Sequence, residues 1–206
     1  MSPALPYPRF PGFDVMSQAN HWDPVTRDLV EDRLDPGPGG SFFSLVERRA
    51  AGALVNRLTG QDDEEVVPVL QMLETRLAAG TTDGWHYEKL PHDADAWRLS
   101  LLHLDADAQA RHGSDFADCT VDDQIRLLED LQNLGDEEWH GLWMHGLWSL
   151  WMRYVCSEFY SHPLAWQEIG FPGPAFPRGY KNIGLDRREG AEVPQAHPEQ
   201  GGEPHL

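Results

Sequence analysis

The stretch DEEWHGLWMHGLWSLWMRYVCSEFY, residues 136–160, is rich in large apolar side chains on nearly every side of a helical projection. Five of its tryptophan and leucine side chains, at 139, 142, 143, 147 and 148, fall within ten positions. A helix that is apolar all round is normally buried on most of its sides. The stretch therefore predicts a central helix from Asp136 to about Tyr160, with other helices packed around it.

Four shorter segments upstream carry apolar residues every three or four positions, which is the pattern of an amphipathic helix. They run from Phe42 to Gly60, Val66 to Gly80, Trp97 to Gly113 and Thr120 to Gly135, and each ends at a glycine, a frequent helix C-terminus. No alternating segments bounded by hairpin turns accompany them, so a sheet beyond a short ribbon is not expected. We predict an all-α bundle of about five helices over residues 41–160.

The two ends of the chain differ from this middle part. Residues 1–40 contain many prolines and the turn-rich DPGPGG at 35–40, and they predict a Pro-rich N-terminal arm. Beyond Tyr160 proline and glycine alternate with aromatic residues, which predicts an extended strap over residues 161–185 whose rings are buried against another surface. Residues 186–206 lack such apolar anchors, and disorder is expected there.

Composition narrows the classes of function. Of the 206 residues, 16 are Lys or Arg and 34 are Asp or Glu, which gives a formal charge of -18. Such a charge repels nucleic-acid phosphates and anionic lipid, so neither is an expected partner. The apolar run from Leu142 to Val155 is too short for a membrane span. Neither an apolar leader nor a twin arginine is seen, and we expect a cytoplasmic protein.

Candidate metal ligands are concentrated in EEWHGLWMH, at Glu137, His140 and His145. Glu137 and His140 are three apart and would share a helix face, which is one quarter of a di-iron carboxylate site. His140 and His145 are five apart and point about 140° away from each other on a helix. We favour a structural role for these histidines and keep a helical metal-dependent enzyme as the alternative. Cys119 and Cys156 are interpreted as buried thiols, and their pairing stays open.

Aromatic residues point to a different kind of function. Five tryptophans, at 139, 143, 148, 151 and 166, fall within 28 residues. They could form an ordinary bulky core, or they could belong partly to a permanent interface, where tryptophan and tyrosine are enriched. His162 could cap the end of the central helix or make a polar contact to a partner.

The segment FYSHPLAWQEIGFPGPAFPRGY, residues 159–180, resembles the C-terminal signature of the gluconate 2-dehydrogenase subunit 3 family. The family's motif of Phe-Tyr, a polar residue and Pro, then Trp, then Ile-Gly-Phe/Tyr-Pro-Gly is matched by Phe159, Tyr160, Pro163, Trp166, Ile169, Gly170, Phe171, Pro172 and Gly173. The segments 101–131 and 42–60 are similar to the family's upstream helices. The chain departs from many relatives in having no twin-arginine signal and no Gly-Gly-Asn insert between Pro163 and Trp166.

The resemblance implies a non-catalytic small subunit that assembles with a large FAD-dependent dehydrogenase or oxidase of the glucose-methanol-choline type, acting on sugars or alcohols. It places no cofactor in this chain and FAD in the partner subunit. A chaperone that leaves the mature flavoprotein is a further alternative. The partner-binding residues that we predict are Trp151, Phe159, Tyr160, His162, Pro163, Trp166, Ile169, Phe171, Pro172 and Tyr180.

Overall fold

The computed structural model describes residue 10 and residues 12–37, 39, 41–61, 66–182, 184–185 and 187–193. These residues form α-helices joined by loops, two short 3₁₀ helices and one two-stranded hairpin. The α-helices are α1 (Pro24–Leu34), α2 (Leu45–Thr59), α3 (Val69–Ala78), α4 (Asp93–His112), α5 (Val121–Asn133), α6 (Met144–Ser161) and α7 (Pro163–Ile169). The strands are β1 (Glu138–Trp139) and β2 (Leu142–Trp143), and the 3₁₀ helices are Val15–His21 and Phe116–Asp118. The prediction of a mostly α-helical fold is confirmed.

The chain divides into two compact units. Residues 37–159 form the first, which we call the helical unit and which holds α2 to α5, the hairpin and most of α6. Residues 1–36 and 160–206 form the second, which we call the terminal unit because both ends of the chain contribute to it. Its described part contains the 3₁₀ helix Val15–His21, α1, α7 and the segment that follows α7.

The helical unit is built around aromatic and leucine side chains that are almost completely buried. The largest of them are Trp97, Trp151, Tyr154, Phe116, Leu54, Leu73, Leu101, Leu104, Leu127, Leu131, Met144 and Leu147. The indole N–H of Trp151 donates to Ser100 Oγ at 3.1 Å, so the central tryptophan has a polar partner inside the core. These residues come from the apolar stripes of the sequence, which explains why the stripes predicted the helices.

The helix ends in this unit follow capping chemistry visible in the sequence. At the start of α2, Ser44 and Glu47 form a reciprocal capping box, and Gly60 ends the helix in the left-handed region with a φ of 67°. Thr120 caps α5 through a hydrogen bond from the backbone N–H of Asp123 at 3.2 Å. These boundaries agree with the predicted ones to within a few residues.

The start of the central helix was predicted wrongly. Residues 138–143 form the hairpin β1–β2 instead, and α6 begins only at Met144. The reversal occurs at His140 and Gly141, both with positive φ, of 50° and 79°. A two-residue turn with two positive φ angles fits the twist of a hairpin, and Gly at its second position favours this turn over a continuous helix.

The segment predicted as a Pro-rich N-terminal arm contains helices, since residues 15–34 are largely helical. Asp23 caps α1 by accepting hydrogen bonds from the backbone N–H groups of Val25 and Thr26, and Pro24 occupies the first helical position. Pro at this position loses no hydrogen bond and already has a helical φ. Residues 1–9 of the arm lie outside the described residues.

The strap predicted as extended likewise contains a helix, α7, that begins at Pro163. The same rule explains it, since proline starts a helix as readily as it interrupts one. Residues 171–175 lie outside any helix or strand. Of the region 186–206, only residues 187–193 are described, and there the Glu189 carboxylate accepts a hydrogen bond from the Lys181 backbone N–H at 2.5 Å.

Two further predictions concern the cysteines and the membrane. Cys119 and Cys156 are free thiols in this structure, and both are half-buried rather than buried. Burial raises the pKa of the Cys156 thiol. Over the described ranges, none of the helices combines the length and the apolar character needed to cross a bilayer.

Candidate partner-binding surface

Trp166 anchors the terminal unit. It lies in a small core with Val15, Trp22 and Val30, and only 5% of it is exposed. Its indole N–H donates to the Tyr160 carbonyl at 2.7 Å, which satisfies the one polar atom of the side chain. This hydrogen bond ties α7 back to the end of α6, so Trp166 determines how the chain turns between the two helices.

His162 forms the joint between α6 and α7. Its Nδ1 accepts a hydrogen bond from the Leu164 backbone N–H at 3.2 Å, so the side chain is the N-cap of α7. Burial, and secondarily the nearby Arg33 guanidinium, lower the pKa of His162 to about 4. The imidazole is therefore neutral at pH 7. His162 directly follows Ser161, the last residue of α6, and its side chain caps the start of α7 rather than the end of α6.

Exposed aromatic and aliphatic side chains lie on both sides of His162, at residue 160 and along the segment that follows. Phe176 is 66% exposed and Tyr180 is 61% exposed, and Tyr160, Ile169 and Phe171 are exposed as well. The Phe171 ring packs edge-on against Trp166, with centroids 5.4 Å apart, so the exposed set begins directly on the buried anchor. We call these five residues the aromatic surface of the terminal unit.

The predicted partner-binding residues divide by their burial. Tyr160, Ile169, Phe171 and Tyr180 are exposed, and Phe159 and Pro172 are half-buried. Trp151, His162, Pro163 and Trp166 are buried within the chain and present no surface to a partner in this structure. Phe176 was not among the predicted residues. Its place between prolines in the aromatic tail was the signal that could have identified it.

The histidines considered as metal ligands are arranged differently from the predicted helix. Glu137 precedes β1 and His140 lies in the hairpin turn, so the two do not share a helix face and the spacing argument fails. His140 Nε2 is 2.8 Å from the Asp107 carboxylate, which also accepts a hydrogen bond from the Trp139 indole at 2.9 Å. Among the described residues, no group of three His, Cys, Asp or Glu side chains is placed to hold a metal ion.

A second histidine completes this cluster. The His103 ring stacks on the His140 ring, with centroids 4.4 Å apart and planes 8° from parallel. Burial and the positive charge that His140 can carry lower the pKa of His103. Although burial opposes ionisation of Asp107, its hydrogen bonds from Trp139 and His140 outweigh burial and lower the pKa of the carboxyl. The cluster thus attaches the hairpin to α4, which is a structural role.

The fold and this surface define a class of protein, a small all-α chain whose terminal unit presents aromatic side chains to solvent. The model of the gluconate 2-dehydrogenase subunit 3 family matches residues 46–173, well over half of the chain. The chain belongs to this family, which confirms the resemblance seen in its tail. Comparison with curated proteins and with solved structures gave no match.

Proposed function

We propose that this chain is a non-catalytic small subunit that stabilises and assembles with a large FAD-dependent dehydrogenase of the glucose-methanol-choline type. The family is that of a gluconate 2-dehydrogenase subunit, which implies a partner chain. In the proposal the flavin and the catalytic base belong to the large subunit. The aromatic surface of the terminal unit is the observation that carries the proposal and the part that contacts this partner.

Physical arguments support such a role for the aromatic surface. Two rings, Phe176 and Tyr180, are 66% and 61% exposed and leave apolar area in water. In the proposal these side chains form one apolar area, the kind of surface that marks an interaction site on a small protein. Aromatic side chains are also the residues that most often dominate the binding free energy of an interface.

Co-expression tests the proposal directly. We would express the full chain with the glucose-methanol-choline flavoprotein encoded beside its gene and measure complex formation by gel filtration with flavin absorbance. A stable one-to-one complex is expected. Failure of any flavoprotein to co-purify contradicts the proposal, and a flavoprotein that matures only with the chain but then elutes alone identifies a transient chaperone instead.

A pair of double variants tests the surface within that complex. Phe176→Ser with Tyr180→Ser should weaken binding about 100-fold, since truncating an interface anchor costs about 1–2 kcal/mol each. The matched control is Val46→Ser with Leu102→Ser, two side chains of the helical unit that are 59% and 61% exposed. The control should bind as the wild type does. Equal binding by both double variants would contradict the assignment of the aromatic surface.

A further inference from the structure

The described parts of the N-terminal arm and of the tail, which is the segment 161–185, contact each other within the terminal unit. Near one end of the pairing, Arg33 Nη1 donates to the Ser161 carbonyl at 3.1 Å. Near the other end, Arg178 Nη1 donates to Gln18 Oε1 at 3.0 Å. Two hydrogen bonds at widely separated positions therefore join the arm to the tail.

Apolar and aromatic contacts also join the two segments. Val30 of α1 shares the small core with Trp166 of α7, and Trp22 lies against Gly173, seven residues further along the tail. The Arg33 guanidinium also lies over the Trp166 ring, 5.9 Å from its centroid. Arm residues between 10 and 33 thus contact tail residues between 161 and 178, although not in a single antiparallel register, since Phe10 lies against Gly170 and Val15 shares the core with Trp166.

Gly173 marks the closest approach of the two segments. A Cβ atom at this position would lie 2.5 Å from the indole of Trp22, closer than real Cβ contacts, so the tail backbone passes directly over that ring. Its φ of 81° is also one that glycine adopts readily and other residues rarely do. Both the space and the backbone conformation require glycine where the tail crosses the arm.

We propose that residues 10–36 are an intramolecular scaffold that holds the tail in its binding shape, with Trp22 as the positioning residue. The inference rests on the proposed function for what the tail binds. A tail already ordered in the free chain avoids most of the entropy cost that an extended strap pays when it docks. The partner then meets a preformed aromatic surface, with Phe171 placed by Trp166 and the 171–180 segment placed by Trp22.

Hydrogen exchange on the free full-length chain tests this without any partner. The reporters are backbone amides of α7 and its end, such as that of Phe171, which donates to the Trp166 carbonyl at 2.8 Å. In the wild type these amides should be protected. Trp22→Ala should speed their exchange by about 100-fold, because removing a buried tryptophan leaves a large cavity. Amides of α4 and α5 should keep their wild-type rates and show that the variant is folded.

Gly173→Ala and Gly179→Ala form a matched pair. Both glycines have positive φ, 81° and 69°, but a Cβ at 179 meets nothing within 4 Å. Gly179→Ala should introduce only backbone strain and should speed amide exchange about 5-fold. Gly173→Ala adds the collision with Trp22, so it should speed exchange about 10-fold more than Gly179→Ala does. Equal effects of the two variants, or unprotected tail amides in the wild type, would overturn the scaffold.

The two proposals can fail separately. If the tail amides are protected but the chain binds no flavoprotein, the scaffold proposal stands and the proposed function is rejected. An unprotected tail that becomes protected only in a stable flavoprotein complex retains the proposed function and rejects the scaffold in favour of folding on binding.

Discussion

The helical unit and the terminal unit bury their aromatic residues differently. In the helical unit Trp97, Trp151 and Tyr154 are wholly buried, and the exposed Trp85 is covered on one face by the Arg153 guanidinium, 4.3 Å from its ring. In the terminal unit the buried cluster has only four members, and a comparable number of aromatic rings face solvent. The aromatic rings of the helical unit therefore mainly stabilise that unit, whereas many rings of the terminal unit are exposed to solvent.

The largest change in the free energy of unfolding is expected from a substitution at the centre of the helical unit. Trp151→Ala should lower the free energy of unfolding by about 3–5 kcal/mol, because it leaves a large cavity and removes the partner of Ser100. Urea denaturation followed by circular dichroism would measure it. Trp85→Ala, at a ring that is 48% exposed, is the control and should cost under about 1 kcal/mol. Equal losses for the two variants would break the comparison.

A smaller effect should depend on pH and arise in the terminal unit. The pKa of His162 is about 4 in the folded chain, below the value of about 6.5 of an unfolded histidine. The unfolded state then binds more protons between these values, so the contribution of His162 to stability should fall by about 3 kcal/mol as pH drops from 6.5 to about 4 and change little further below.

Urea denaturation at several pH values, in the wild type and in His162→Asn, would measure this contribution. Asparagine keeps an acceptor for the Leu164 N–H and does not titrate. The difference in unfolding free energy between the two proteins isolates His162 from His103, which titrates in the same direction. A difference that is the same at pH 7 and pH 4 would show that the buried histidine does not make this unit acid-sensitive.

The smallest effect should come from the polar contacts of the hairpin. Asp107→Ala removes the acceptor for the Trp139 indole and the His140 imidazole and should cost about 1–2 kcal/mol. Thermal or urea unfolding would measure it, with the exposed Glu129→Ala as a control of equal charge change. A loss as large as that of Trp151→Ala would show that polar contacts, and not the apolar core, determine the stability of the helical unit.

The sequence predicted most of the helical unit because its signals are local and strong. Ser44, Gly60 and Thr120 determine helix ends through their own conformational preferences, and the apolar stripes between them match the buried faces. The hairpin was missed because tryptophan and leucine at 139–143 fit a helical stripe as well as a strand. Only Gly141 opposed the helix, and a single glycine inside a helix is tolerated at a cost of about 1 kcal/mol.

The terminal unit was predicted less well, for a different physical reason. The start of α1 has a recognisable signal in Asp23 followed by Pro24, and the same holds for His162 and Pro163 at α7. These helix-start signals were missed because the many nearby prolines were interpreted only as residues that interrupt helices. The burial of Trp166 depends on Val15, Trp22 and Val30, far away in the sequence, and no local pattern contains such a contact.

The pairing of arm and tail also affects when the surface can exist during synthesis. Its hydrogen bonds join residues 128 and 160 positions apart, so the arm leaves the ribosome long before the segment that it pairs with. Contacts of such long range form late. A chain interrupted anywhere in the helical unit would have the arm without its tail, and it could not display the aromatic surface. Only chains translated through residue 178 carry the complete pairing.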